Sequence, residues 1–122
     1  MRACLLALVC ACGGAPAKNE AVAKHGRHTD WKATVTRATF DGKLTVLELG
    51  PRVKLVIASC YAHAQQKIGD HDHVQIELDG KSAVAGELDI ADCTTKNVVA
   101  SLWAEFADGT KIEASIDTAL KK

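Results

Sequence analysis

Asp-Gly recurs at three points of the chain, Asp41-Gly42, Asp79-Gly80 and Asp108-Gly109, each followed by Lys or Thr and set between runs rich in Val, Ile, Leu and Thr. Glycine reaches backbone angles closed to other residues, so this dipeptide between alternating apolar runs marks a β-hairpin. Three such turns in one chain point to an antiparallel β-fold. Loop length then follows from parity, because a one-residue slip turns every side chain to the opposite face of the sheet. A two-residue loop at Asp108-Gly109 sets Ala104 against Glu113. A three-residue loop, Ala107-Asp108-Gly109, sets Ala104 against Ile112, Ala100 against Ile116 and Glu105 against Lys111, with glycine in the left-handed position of a bulge. The same rule predicts Val74 opposite Val84 and Glu77 opposite Lys81, then Val35 opposite Leu47 and Ala33 opposite Leu49. Each hairpin acquires one apolar and one polar face, which is the pattern of a sheet with a core side and a wet side.

The strands predicted on this basis are Trp31 to Thr39, Lys43 to Leu49, Val53 to Cys60, His73 to Glu77, Lys81 to Ile90, Val98 to Phe106 and Thr110 to Ser115. Gly50-Pro51 separates the second from the third, and Thr94 to Asn97 turns the fifth into the sixth. About seven short antiparallel strands without a helix imply an all-β domain, a β-sandwich, with a small β-barrel as the alternative. Tyr61 to Asp72 is the least regular stretch, and its Gly-Asp-His-Asp end reads as loop. With 122 residues there is room for one domain. Lys and Arg number 15 against 15 Asp and Glu, a balance with no electrostatic footprint for nucleic acid. Aromatic residues make up only 4% of the chain, too few for a broad stacking platform.

The first residues follow a different logic. Met1-Arg2 is a minimal basic start, and Ala3 to Ala11 is an apolar run far shorter than the roughly 20 residues needed to cross a bilayer. Val9-Cys10-Ala11-Cys12 resembles the lipobox of bacterial lipoproteins, with an aliphatic residue three before the cysteine and a small one directly before it. The resemblance implies a signal segment at 1–11, removed before Cys12, and diacylglyceryl and acyl (palmitate-type) groups on Cys12 as the membrane anchor. It also implies a bacterial cell-envelope location. In that family a residue other than Asp after the cysteine favours the outer membrane, and Gly13 fits. Gly13 to Glu20 is small and polar, so residues 12–29 are expected to form the lipidated tether and 30–122 the folded domain. Under this reading Cys4 and Cys10 leave with the signal and Cys12 carries lipid. Cys60 and Cys93 then remain as one pair, expected to form a disulfide in an oxidising compartment.

Few residues carry chemistry. In Asp70-His71-Asp72-His73 the two imidazoles fall on one side of an extended backbone, and His63 is a third candidate ligand, a donor set suited to Zn²⁺ or Cu²⁺. No other cofactor is suggested. His25-Gly26-Arg27-His28 falls in the expected tether, where ligands are not preorganised. Trp31 shares parity with Ala33 and Val35 and is expected in or beside the core. Trp103 shares parity with Ser101 and Glu105 on the wet face, where a large aromatic can anchor a partner. No serine lies in a Gly-x-Ser-x-Gly turn or beside a histidine, and no glycine loop suits phosphate, so no catalytic residue is assigned. The expectation is a non-catalytic envelope lipoprotein whose β-domain binds a protein or cell-envelope component. A periplasmic metal-binding lipoprotein using His63, His71 and His73 is the alternative.

Overall fold

A computed structural model describes residues 16–58, 60, 63–69 and 74–121. Cys12, His71 and His73, with the signal segment and the start of the tether, lie outside them. The described chain is all-β and antiparallel, in ten strands: β1 (Glu20–His25), β2 (His28–Phe40), β3 (Thr45–Leu49), β4 (Val53–Ile57), β5 (Ala64–Lys67), β6 (Val74–Leu78), β7 (Lys81–Ser82), β8 (Ala85–Cys93), β9 (Asn97–Glu105) and β10 (Lys111–Ala119). They form one hydrogen-bonded sheet in the order β5-β8-β9-β10-β1-β2-β3-β4-β6-β7. The sheet curls into a half-barrel, which replaces the expected seven-strand sandwich. The reason is β2. Its first half pairs with β1 and its second half with β3, across a register shift between Val35 and Arg37, so the chain turns a corner without breaking the sheet.

The expected tether also ends early. Glu20–His25 is a strand paired on both sides, to β10 and to β2, and Gly26-Arg27 closes a hairpin in which His25 faces His28. Asn19 pins its start: the backbone carbonyl accepts from the Val35 amide at 2.9 Å, and the side-chain oxygen accepts from the Asp117 amide at 2.7 Å. One residue therefore bridges β2 and β10, just where β1 slides between them.

The three Asp-Gly turns diverge. At Asp108-Gly109 the three-residue loop and its pairs are those expected: Ala104 with Ile112, Ala100 with Ile116 and Glu105 with Lys111. At Asp79-Gly80 the loop has two residues, both with positive φ (53° and 84°), and Leu78 faces Lys81 while Glu77 faces Ser82. β7 stops after two residues, so no apolar ladder holds the longer loop. Ala83 goes into the core and Val84 is left 60% exposed. Around Asp41-Gly42 the loop runs over four residues, because the Asp41 carboxylate accepts from the amides of Lys43 and Leu44 at 2.9 and 2.8 Å. Val35 consequently faces Leu49, and Ala38 faces Leu47.

Alternation along the strands fills the inside of the curl. β3, β4 and β6 contribute Leu47, Leu49, Leu55, Ile57 and Ile76, all fully buried. β1, β9 and β10 contribute Ala21, Ala23, Ala100, Ala104 and Ala114 to the same cluster. The same wall also contributes Leu88, Ile90, Leu102, Ile112 and Ile116, so alanines set among branched side chains let the curl reach close packing. Trp31 and Val35 pack against this core while partly exposed.

Within the irregular stretch, Ala64–Lys67 pairs with β8 as an edge strand. Nearby, Cys60 and Cys93 are bonded, with 5.8 Å between their Cα atoms, and tie the chain after β4 to the end of β8. The bridge closes a sequence separation of 33 residues, which in the chain-entropy account stabilises the fold by about 4 kcal/mol. Replacing both residues, Cys60→Ala with Cys93→Ala, is expected to lower the denaturant midpoint by a corresponding amount in equilibrium unfolding. An unchanged midpoint would show that the bridge constrains nothing the strands do not already hold.

Candidate functional site

Two concave surfaces carry the polar and aromatic groups that the core does not use. The first lies on the outer face of β8, β9 and β10. Leu102 and Ala104 point inward and are buried, so Trp103 between them points outward, 37% exposed, as its parity implied. It stands in a cross-strand row between Glu87 of β8 and Glu113 of β10. The next row is Asp89, Ser101 and Ser115. These residues and Pro16 line a groove of about 480 Å³. Glycine is needed beside it: a Cβ on Gly86 would sit 2.5 Å from the Trp103 carbonyl oxygen, so only glycine lets β8 approach β9 this closely.

The charges in this groove differ in how they are engaged. Lys24 of β1 donates to Glu113 at 2.6 Å, in a pair that is largely shielded from solvent. The Lys111 ammonium lies 5.4 Å from the centroid of the Trp103 ring, where the negative face of the indole attracts it. Glu87 and Asp89 form no ion pair among the described residues. The groove thus offers an aromatic face, two uncommitted carboxylates and two hydroxyls.

The second surface is the mouth of the curl. The β1–β2 hairpin, the β3–β4 turn, the β6–β7 turn and the β9–β10 loop converge there on a pocket of about 630 Å³. Trp31, Leu78, Phe106 and Ala107 give it apolar lining. Across it, Asp30 bonds the His25 Nδ1, and His25 Nε2 lies 3.2 Å from the Thr110 hydroxyl. The Asp108 carboxylate accepts from the Thr110 amide at 2.9 Å and from its hydroxyl, and both contacts hold its pKa below the ordinary carboxylate value. The Asp-His-hydroxyl succession has the connectivity of a general-base relay. Thr110 is 4% exposed, and through it the network ties the β1–β2 hairpin to the β9–β10 loop.

On the opposite lip, Arg52 holds Asp79 through Nε at 3.1 Å and Nη2 at 2.7 Å, and its guanidinium lies 4.8 Å from the Trp31 centroid. Sequence reasoning did not find this mouth, because it placed His25 in a tether. The available signal was His25-Gly26-Arg27-His28 itself, a Gly-containing two-residue turn with matched flanks.

Among the expected metal ligands, His63 is the one described, and it lies in the lining of neither surface. His63 is exposed, with a φ of 58°, at the start of β5. Among the described residues no group of three or more His, Cys, Asp or Glu side chains could hold a metal ion, while His71 and His73 lie outside them. Compared with protein-family models, with curated proteins and with solved structures, the chain gives no match.

Arg52 is the largest cause of the depressed Asp79 pKa, so the pair has a pH signature. A carboxyl whose folded pKa lies below its unfolded one stabilises the fold above the unfolded value, and that contribution is lost as pH falls through the folded value. Arg52→Gln should move the Asp79 titration midpoint, followed by carboxyl carbon NMR, upward toward that of an ordinary aspartate. A midpoint that stays put would show that the contact does not form in solution.

Proposed function

We propose that this chain is a non-catalytic lipoprotein of the bacterial envelope, anchored through Cys12, whose β-domain binds a protein partner on the outer face of β8–β10. The observation that carries the reading is Trp103, a large aromatic 37% exposed on the outer face of the sheet, where it lines a concave surface. Buried aromatic anchors dominate binding energy at protein interfaces, and a tryptophan exposed in a groove is available to serve as one. Its surroundings favour a partner that presents Lys or Arg. Glu87 and Asp89, which form no ion pair among the described residues, could pair with such a side chain, and the contact of Lys111 with the ring illustrates the attraction that a second cation would find. The anchor rests on the Val9-Cys10-Ala11-Cys12 sequence, and it would confine both the domain and its partner to a membrane surface.

A photo-crosslinking residue at Ser101, in cells expressing the full chain, separates the two halves of this reading. The expected result is a discrete adduct in the membrane fraction, lost on Trp103→Ala while the melting temperature is unchanged. Cys12→Ser is expected to move the protein into the soluble fraction. Adducts that survive Trp103→Ala would remove the binding surface, and a Cys12→Ser chain that stays membrane-bound would remove the anchor.

A further inference from the structure

We infer that the mouth of the curled sheet is a binding site for a small amphipathic organic anion, such as a short fatty or aryl carboxylate, separate from the Trp103 surface. The inference rests on which of the lining groups are already engaged. Every carboxylate in the mouth has a partner within the protein: Asp30 has His25, Asp79 has Arg52, and Asp108 has the amide and hydroxyl of Thr110. The cations do not balance them in the same way. Lys81 lines the mouth and forms no ion pair among the described residues.

Arg52 is likewise only partly used. A guanidinium carries five N–H groups, and the contacts to Asp79 take those on Nε and one on Nη2, leaving the remainder without an acceptor among the described residues. The mouth therefore presents unpaired donors from two side chains, Arg52 and Lys81, and the first of these is held in place. Asp79 fixes the Arg52 fork, and the Trp31 ring beneath it limits its swing. A carboxylate fits such donors with charge-assisted hydrogen bonds that shorten and strengthen on desolvation.

The rest of the lining sets the body of the ligand. Trp31, Leu78 and Phe106 face the same space and would cover an apolar tail. The volume, about 630 Å³, lies in the range of small-molecule pockets, and the mouth of a β-barrel is a recurrent place for them. Below Leu78 and Phe106 the curl is closed by the packed core, so the ligand is short. The mouth carries no large positive charge, since Arg52 and Lys81 share it with Asp30, Asp79 and Asp108. Recognition must then come from local hydrogen bonds and apolar contact, and a bare inorganic anion should not suffice.

Titration of the disulfide-intact chain with octanoate, octylamine, octanol and inorganic phosphate, read by the indole NMR signal of Trp31, tests this. Octanoate is expected to bind and to shift that signal, with octanol and octylamine much weaker and phosphate without effect. Lys81→Gln, a substitution at an exposed end of β7, is expected to leave the melting temperature unchanged and to weaken octanoate about tenfold or more, as loss of a charged hydrogen bond would. Arg52→Gln is expected to act in the same direction. No octanoate binding at millimolar concentration, octylamine binding as well as octanoate, or an affinity unchanged by Lys81→Gln would each overturn the inference. None of these outcomes bears on the Trp103 surface.

Discussion

Strand β1 is hydrogen-bonded along both of its edges, to β10 on one side and to β2 on the other. In the sheet order it stands between β10 and β2, which are tied again beyond its end where the Lys121 backbone bonds Ala38 and Phe40. Its inward side chains are Ala21 and Ala23, both fully buried, and larger residues there would push the two walls of the curl apart. Its ends are held from outside the strand. Asn19 ties the start to β2 and β10, and at the far end His25 reaches Asp30 and Thr110. A chain segment that enters the fold first in sequence thus closes a sheet whose other half is supplied by the last.

Both concave surfaces inherit their form from that arrangement. By pairing with β10, β1 brings Lys24 to Glu113, so the groove beside Trp103 has one carboxylate neutralised and the others open. By turning at Gly26-Arg27, it brings His25 to the β9–β10 loop, and four turns then meet at one end of the curl. Rigid strands place the groups in each case, while the turns supply the variable chemistry. The polar network at the mouth has a partner for each of its carboxylates, which holds the converging turns together.

How much of this could be read from residues alone depended on how far each strand pair extends. The Ala107-Asp108-Gly109 loop came out correctly because β9 and β10 pair over nine residues each, and a slip there would misplace Ala100, Ala104, Ile112 and Ile116 together. Parity had no such grip at Asp79-Gly80, where β7 contributes only two residues before the chain leaves for β8. Around Asp41 a side chain made its own turn, and a bulge in β2 absorbed the extra residue. The sandwich expectation failed at that same bulge, since nothing in His28–Phe40 announces that one strand will serve both halves. Glu20–His25 was missed because alanine and lysine have weak strand preference and become strand here only through partners on both sides. The Cys60–Cys93 pairing, by contrast, followed from compartment and count, and Trp103 from simple alternation.

The central claim is that residues 20–25 are an interior strand and not part of a tether. Native-state amide hydrogen exchange of Ala21, Val22, Ala23 and Lys24 tests it most directly, because an interior strand opens only with the global unfolding free energy while a tether exchanges freely. These amides are predicted to be protected to the same degree as those of Leu102 and Ala104 in β9. Exchange at the unprotected rate, with β9 still protected, would contradict the account.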